Sequence, residues 1–222
     1  RSGSHCMMAS FRAASIGRED GLYRFDLITP GEAVKDIRLP LPGMVNILNA
    51  TAAAAAAWCA GVDGDEIRTA LHTYQGVRRR FDIRYAGKEI VYVDDYAHHP
   101  KEINALVSAV RDFWPGRHIT GIFQPPLYTR TLDFADGFAA ALDRLDEVLL
   151  LTLYPAREKP IEGVSSDMIA GLMKNRNVRV VTREELLPAL AGINKGMLLT
   201  IGAGDIDRFI EPITEMLKER DA

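Results

Sequence analysis

The sequence is poor in cysteine. Only two of its 222 residues are cysteine, Cys6 and Cys59, and neither belongs to a CxxC motif or to a Cys/His spacing that binds zinc. A disulfide-stapled scaffold and a structural zinc finger are therefore excluded as fold classes. We expect both thiols to be free, as they are in the reducing cytoplasm.

Positive charge and long apolar runs are also lacking. The formal net charge is −3, with 27 Lys and Arg against 30 Asp and Glu, so no basic field points to a nucleic-acid partner. No apolar run reaches the length of a membrane span, and the first residues do not form the apolar core of a signal peptide. We predict no fold element within Arg1 to Met8, and we predict a cytoplasmic protein with neither a nucleic-acid nor a membrane partner.

The first third of the chain predicts strands followed by helices. Residues 10–16 and 22–28 are mixed apolar and polar segments around a glycine-bounded turn, which is typical of a hairpin, and residues 37–39 predict a third short strand. Helices are predicted over 46–61 and over 66–74, each closed by a glycine. These elements are too few for a complete α/β domain, so we interpret them as the tail of a larger one.

Beyond Gly76, strands and helices alternate. Such alternation predicts an α/β fold with a Rossmann-like, mostly parallel sheet and helices on both faces. The segment 147–153 is almost entirely apolar, as expected for a parallel strand covered on both sides. The predicted strands are 88–93, 119–123, 147–153, 178–181 and 197–201, and the predicted helices are 102–113, 134–142, 165–173, 184–191 and 206–217.

Four polar clusters each follow a predicted strand. The first cluster is residues 94–100 (DDYAHHP), the second is 124–130 (QPPLYTR), the third is 154–158 (YPARE) and the fourth is 202–205 (GAGD). Ligands of open parallel sheets bind at the carboxyl ends of the strands. We therefore expect the four clusters to share one edge of the sheet and to form a site.

Several chemistries are open at these clusters. Asp94, Asp95, His98 and His99 could bind a metal, but a catalytic base or substrate contact is the interpretation we favour, because histidine titrates near neutrality. The basic run 78–80 is either a solvated surface or a phosphate contact. Arg130 and Arg157 either bind an anion or pair with Asp133 or Glu158. We predict no metal site.

Phosphate-binding loops are absent from the sequence. No G-x-x-x-x-G-K-[S/T] motif occurs, and Gly202-Ala203-Gly204 lacks the third glycine of a dinucleotide fingerprint. We interpret those two glycines as a tight turn into the last helix.

An ordered series of motifs resembles the family of UDP-N-acetylmuramate–L-alanine ligases, a branch of the Mur ligases. The resemblance extends from about residue 10 to the end. It implies that residues 9–77 are the end of a central ATPase domain and that 78–222 form a C-terminal Rossmann-like domain. The motifs are Pro42-Gly43 with Asn46 and Asn49-Ala50, then 76–81 (GVRRRF), the first cluster, 123–125 (FQP) with 128–130 (YTR), the third cluster and 202–206 (GAGDI).

The resemblance implies an ATP-dependent ligase of peptidoglycan synthesis. In that reaction the carboxylate of UDP-N-acetylmuramate becomes an acyl phosphate, which the amine of L-alanine then attacks. ATP and Mg²⁺ are the implied cofactors, with the phosphate loop, the UDP site and most magnesium ligands in a preceding part. We expect the chain alone to be inactive. The alternatives are a non-catalytic α/β nucleotide-binding module, a metal-dependent hydrolase and a related murein tripeptide ligase.

The resemblance also implies roles for individual residues. Asn46 corresponds to the residue that reads adenine, Arg80 to an arginine that contacts ATP phosphate, and Asp95 to an acidic residue near the ribose and phosphates. Asp95 and His98 are the implied catalytic residues. The implied substrate contacts are Tyr96, His98, His99, Arg130, Arg157 and Glu158.

Three positions depart from the family pattern. Val45 stands where a histidine usually precedes the adenine-reading asparagine. Pro126 and Leu127 stand where the family usually has a histidine and an arginine. The identity of the amine substrate is therefore less well defined than the family.

Overall fold

The computed structural model describes residues 11–19 and 22–221. Residues 1–8, including Cys6, lie outside the described residues, as do Ser10 and Gly21 of the predicted hairpin. The chain divides into two compact units, an N-terminal unit that ends at Gly76 and a C-terminal unit that begins at Val77.

The N-terminal unit contains a three-stranded antiparallel sheet. Its strands pair in the order β1, β2, β3, so the predicted hairpin is confirmed. Phe25, Leu27 and Ile37 are fully buried, as the alternation of apolar residues requires. The strands are β1 (Arg12–Glu19), β2 (Leu22–Ile28) and β3 (Ala33–Leu39).

Two helices complete the N-terminal unit. They are α1 (Met44–Cys59) and α2 (Gly64–Thr73). Asp63 caps α2 through the backbone N–H groups of its first turn, and Glu66 closes the capping box.

The expectation of free thiols is wrong for Cys59, which is disulfide-bonded. Among the described residues, none of the helices is long and apolar enough to cross a membrane.

The C-terminal unit is a six-stranded sheet with the order β4, β5, β9, β6, β7, β8. Only β4 is antiparallel to its neighbour, so the predicted Rossmann-like, mostly parallel sheet is confirmed. The strands are β4 (Asp82–Ala86), β5 (Ile90–Asp95), β6 (Ile119–Phe123), β7 (Glu147–Leu151), β8 (Val178–Val181) and β9 (Gly196–Ile201). The helices are α3 (Pro100–Phe113), α4 (Tyr128–Asp133), α5 (Ala135–Leu142), α6 (Ser166–Leu172), α7 (Arg183–Leu190) and α8 (Ile210–Asp221), the last preceded by a 3-10 helix (Asp205–Phe209).

Helices cover both faces of this sheet. Val91 and Val93 point into a core formed with α3, α5 and α6. The alternate residues Ile90 and Tyr92 point into a second core with α7 and α8. Each parallel strand is therefore apolar on both sides, which explains why these strands read as continuous hydrophobic runs in the sequence.

Two elements were not predicted. The edge strand β4 is only partly buried and carries charged residues, so it lacks the apolar signature of the other strands. The short helix α4 begins without a side-chain cap from its own N-cap residue, Leu127. In its first turn the Thr129 N–H donates instead to the Glu158 carboxylate of the third cluster. The local sequence does not reveal this contact.

Candidate active site at the carboxyl edge of the sheet

The strand ends that precede the four clusters are adjacent and in register. Asp95 of β5 pairs with Ile201 of β9, and Ile201 pairs with Phe123 of β6. Phe123 in turn pairs with Leu150 of β7. Because all four strands are parallel, their carboxyl ends form one edge. The expectation that the four clusters share an edge is confirmed.

Hydrogen bonds connect the clusters to one another. The Gly202 N–H donates to the Asp95 carbonyl (3.1 Å), which joins the fourth cluster to the first. The Tyr154 N–H donates to the Pro125 carbonyl (3.1 Å), which joins the third cluster to the second. The edge is therefore a continuous polar surface with a fixed backbone rather than four independent loops.

Gln124 joins the second cluster to the fourth. Its side chain is 1% exposed. Its Nε2 donates to Asp205 Oδ1 (2.7 Å), and its Oε1 accepts from the Ile206 N–H (2.9 Å). It lies between the ends of β6 and β9, whose following helices pack on opposite faces of the sheet, and such a switch point is where open α/β sheets bind ligands.

Asp94 is fully buried and anchors the first cluster. Its carboxylate accepts from Thr200 Oγ1 (2.6 Å) and forms an ion pair with Arg79 Nε (3.1 Å). Burial raises the pKa of Asp94 above its ordinary value, while Thr200 and Arg79 oppose that rise. The Tyr92 hydroxyl lies 3.0 Å from Thr200 Oγ1 and extends the buried network.

Asp95, the predicted catalytic and nucleotide-binding carboxylate, is engaged by the backbone. Its Oδ2 accepts from the Phe81 N–H (2.7 Å) and its Oδ1 from the Ala97 N–H (2.8 Å). Burial raises the pKa of Asp95 to about 6, although both backbone bonds favour the ionised form. The carboxylate holds the segment before β4 against the first cluster, and its predicted catalytic role stays a prediction.

His98 and Tyr96 lie together at the surface of the first cluster. The His98 Nδ1 is 3.0 Å from the Tyr96 carbonyl, and the two rings meet edge to face at 5.4 Å. Because a carbonyl can only accept, Nδ1 is the donor in this contact, and the Glu102 carboxylate lies 3.5 Å from the same nitrogen. The predicted catalytic role of His98 stays a prediction.

His99 has a structural role in addition to its predicted substrate contact. It is the N-cap of α3, where its Nδ1 accepts from the Lys101 N–H (3.2 Å) and Glu102 closes the capping box. Its ring packs edge to face on Phe134 at 4.7 Å. This contact links the first cluster to the residue between α4 and α5.

Glu158 of the third cluster closes the N-terminus of α4. Its carboxylate accepts from the Thr129 hydroxyl (2.6 Å) and from the Thr129 N–H (3.0 Å). The Thr129 hydroxyl hydrogen bond is the main cause that lowers the pKa of Glu158, and Arg130 contributes a smaller electrostatic effect. Arg130 is half-buried on α4, whereas Arg157 is exposed in the loop beside Glu158.

The basic run borders a groove of about 570 Å³. Its lining residues are Arg78, Arg79, Arg80, Tyr96, Asp207, Ile210 and Glu211. Arg80, which we predicted to contact phosphate, is exposed there, as is Arg78. The middle arginine of the run, Arg79, is turned inward to Asp94 instead.

Asn46, the predicted adenine contact, belongs to the N-terminal unit. It lies in the first turn of α1, where its Nδ2 donates to the Pro42 carbonyl (2.6 Å). Gly43, directly before the helix, has a φ of 97°, a conformation that favours glycine. Val45 beside Asn46 is exposed.

The carboxylates of the first cluster do not fit a metal centre. Every oxygen of Asp94 and Asp95 already accepts a hydrogen bond from a protein donor. Within residues 11–19 and 22–221, no three histidine, cysteine or acidic residues form a group that could hold a metal ion. The metal-dependent hydrolase is thus the least supported of our alternatives.

Comparison with known proteins identifies the family. Residues 79–204, more than half of the chain, match the family described as the Mur ligase glutamate ligase domain. The chain belongs to the Mur ligase family. This assignment confirms the family resemblance from which the predicted residue roles were taken.

Mur ligases of named activity match almost the whole chain. It is 45% identical over 211 residues to the UDP-N-acetylmuramate–L-alanine ligase of Flavobacterium johnsoniae, covering 95% of this chain and 47% of that protein. It is 46% identical over 212 residues to the enzyme of that name from Cytophaga hutchinsonii, covering 96% and 46%. The chain therefore spans about half the length of these curated relatives.

A solved Mur ligase has the same fold. The crystal structure of the UDP-N-acetylmuramate–alanine ligase of Thermotoga maritima matches with a TM-score of 0.75 at 26% identity, covering 95% of this chain and 45% of that one. The chain therefore shares its fold with part of a solved Mur ligase.

Three residues of the Mur ligase edge escaped our site prediction. Arg79 was indistinguishable from its two basic neighbours in the sequence, and only the structure shows its φ of 61° and its ion pair with Asp94. Thr200 reads as an ordinary strand residue, and only the pairing of β5 with β9 brings it to Asp94. Gln124 stood in a named cluster, but its burial depends on the fourth cluster. The sequence offered one signal for Thr200, namely that it is a polar residue inside an otherwise apolar strand.

Proposed function

We propose that this chain is the C-terminal part of an ATP-dependent ligase that joins L-alanine to UDP-N-acetylmuramate through an acyl phosphate in peptidoglycan synthesis. The observation that carries the proposal is the hydrogen-bonded edge of four polar clusters in a chain that belongs to the Mur ligases. We further propose that residues 9–77 end a central ATPase domain and that residues 78–222 form the C-terminal domain.

The charges at the edge suit the proposed reactants. UDP-N-acetylmuramate and ATP are anionic, and negative charge is transferred between them when the acyl phosphate forms. Arg80 and Arg130 lie at this edge with side chains that solvent reaches. Guanidinium groups bind phosphate and carboxylate with paired hydrogen bonds, so these two residues are our proposed contacts to the anionic reactants.

The amine of L-alanine must lose a proton as the amide bond forms. His98, with Nε2 available as an acceptor, is our proposed group for that proton, and Tyr96 holds the imidazole from one side. Asp95 acts in this proposal by fixing the first cluster and Phe81 rather than by direct proton transfer. Asn46 is proposed to bind adenine, and Arg157 and Glu158 to border the substrate.

The loop that departs from the family pattern keeps its structure but carries less charge. The Pro126 carbonyl accepts from the Thr131 hydroxyl (3.0 Å), and the Leu127 carbonyl accepts from the Thr131 N–H (2.9 Å), so the backbone of the second cluster is held in place. Arg130 is the remaining cation of this cluster. Because this loop has no second arginine, we propose that its recognition of the substrate depends mainly on Arg130.

Mg²⁺ and ATP belong to the proposal through the family. Because the carboxylates of Asp94 and Asp95 are engaged, this chain would contribute few ligands to Mg²⁺, which would neutralise charge on the ATP phosphates when bound. The cytoplasm, where ATP is made, is the proposed location.

A chimeric enzyme tests the proposed function. Residues 11–222 are fused to the N-terminal part of the Flavobacterium johnsoniae relative that this chain does not cover, and ADP release is measured with ATP, Mg²⁺ and UDP-N-acetylmuramate. We expect turnover that requires L-alanine and is lost in His98→Ala, with the intact relative as the positive control. Turnover with a murein tripeptide but not with L-alanine would support the tripeptide ligase instead. A folded chimera that uses neither amine would support a non-catalytic module.

A further inference from the structure

Arg79 occupies an unusual position among the three arginines of the basic run. Its side chain is 17% exposed and pairs with the fully buried Asp94. Its Nη2 also donates to the Gly202 carbonyl (2.6 Å), so one guanidinium joins the end of β5 to the turn after β9. A half-buried arginine with a carboxylate and a carbonyl partner is held in one geometry.

The same residue holds Tyr96 in two ways. The Tyr96 N–H donates to the Arg79 carbonyl (2.7 Å), and the Arg79 guanidinium carbon lies 5.1 Å from the centre of the Tyr96 ring. A guanidinium at this distance over an aromatic face attracts the ring electrostatically. The orientation of Tyr96, which borders the groove, therefore depends on Arg79.

The backbone on either side of Arg80 is strained. Arg79 has a φ of 61° and Phe81 a φ of 47°, and both are non-glycine residues in the left-handed region. Such conformations persist only where surrounding contacts hold them. Here the contacts include Asp94 to the Arg79 side chain, Asp95 to the Phe81 N–H, and Asp82 Oδ2, which accepts from the Arg79 N–H (3.2 Å). These aspartates thereby help to fix the direction in which Arg80 leaves the chain.

Arg78 and Arg80 are the exposed cations of the groove. Within residues 11–19 and 22–221, no ion pair or side-chain hydrogen bond engages either guanidinium. Glu211 on the facing wall is paired with Arg84, which leaves Asp207 as the acidic group opposite. Unpaired cations beside an ordered aromatic ring suit a phosphate-bearing ligand.

We propose that Arg79 is a positioning residue: anchored on Asp94 and the Gly202 carbonyl, it holds Arg78, Arg80 and the Tyr96 ring so that the groove binds a polyphosphate. The ligand class rests on the proposed function, in which ATP is a reactant. Arg79 itself does not contact the phosphates and acts through its two neighbours and through Tyr96.

A double variant separates positioning from stability. Arg79→Met leaves the Asp94 carboxylate buried without its cation, and this variant should lose stability. Adding Asp94→Asn removes the unpaired charge as well, so the double variant should recover much of the thermal midpoint. Positioning does not recover in the double variant, because no group replaces the guanidinium.

The probe is inorganic tripolyphosphate, titrated into the full chain by calorimetry and followed by NMR at the Arg78 and Arg80 side-chain N–H signals and the Tyr96 ring. We expect wild-type binding that shifts these signals, and affinity at least about tenfold weaker in the double variant at a restored thermal midpoint. Arg144→Met is the matched control, because Arg144 makes comparable hydrogen bonds to Asn104 and Ser108 before β7, away from the groove.

Three results would overturn the inference. They are the absence of wild-type binding at the Arg78 and Arg80 signals, wild-type affinity in the refolded double variant, and an equal loss in Arg144→Met. The chimera distinguishes failure of this inference from failure of the proposed function. If only the proposed function is wrong, the chimera shows no turnover, but the chain still binds tripolyphosphate and that binding still depends on Arg79.

Discussion

A single added methyl group at Gly204 tests whether the second, third and fourth clusters pack against one another. Gly204 has a φ of −87°, which any residue can adopt, so alanine there adds atoms without backbone strain. Its Cβ would lie 2.8 Å from Tyr154 Cγ and would also collide with Gln124 Oε1. That oxygen accepts from the Ile206 N–H, so the substitution pushes against a buried hydrogen bond.

The cost follows from these contacts. Overpacking a close-packed region typically costs about 1–3 kcal/mol, and breaking a buried hydrogen bond costs a similar amount. Because Gln124 is 1% exposed and has little room to retreat, we expect Gly204→Ala to lower the free energy of unfolding of the C-terminal unit by about 2 kcal/mol. For a unit of this size the thermal midpoint should fall by about 4–8 °C.

Differential scanning calorimetry with a matched glycine variant measures this effect. Gly171 lies in α6, and a Cβ added there would have nothing within 4 Å, so Gly171→Ala adds the same methyl group to open space. Since alanine favours a helix over glycine by up to about 1 kcal/mol, its midpoint should rise. If Gly204→Ala unfolds at the wild-type temperature, the close packing of the second, third and fourth clusters is refuted.

Three further predictions concern the edge. His99→Ala removes the acceptor for the Lys101 N–H, so chemical denaturation should show a loss of about 1 kcal/mol, and His99→Asn, which keeps an acceptor, should recover most of it. Because burial raises the pKa of Asp95 from 3.8 to about 6, folding favours its protonated form. The stability from this group is full below the unfolded pKa and is lost as pH rises through the folded pKa, so the wild type should lose stability between about pH 4 and 6 and Asp95→Asn should lack that loss. Thr129→Val removes the hydroxyl bond that lowers the pKa of Glu158, so a ¹³C titration of this carboxyl should move upward, whereas an unchanged titration would contradict the assigned cause.

The apolar pattern predicted most of the fold because it reflects burial directly. Five parallel strands and the helices between them follow from runs such as 147–151, which are apolar on both faces. The edge strand β4 did not follow, because an exposed edge needs few apolar residues. Helix α4 did not follow either, because its N-terminus is satisfied by Glu158, a residue far along the chain.

The sequence predicted the location of the site better than the role of each residue in it. Polar residues directly after strands indicate a shared edge once the strands are parallel, and that rule placed Asp95, His98 and Arg130 correctly at the edge. It could not show that His99 caps α3 or that Arg79 turns inward, because both depend on backbone direction at single residues.

By itself, the sequence determined the order of the five parallel strands and of most helices, the Rossmann-like class and the positions of the polar clusters, since each depends on local periodicity and on the residues that end a strand. Only the tertiary structure decided which polar groups are buried and with whom. The insertion of β9 between β5 and β6 brings Thr200 to Asp94 and Gly202 to Arg79, and no local pattern records a pairing between residues more than a hundred positions apart.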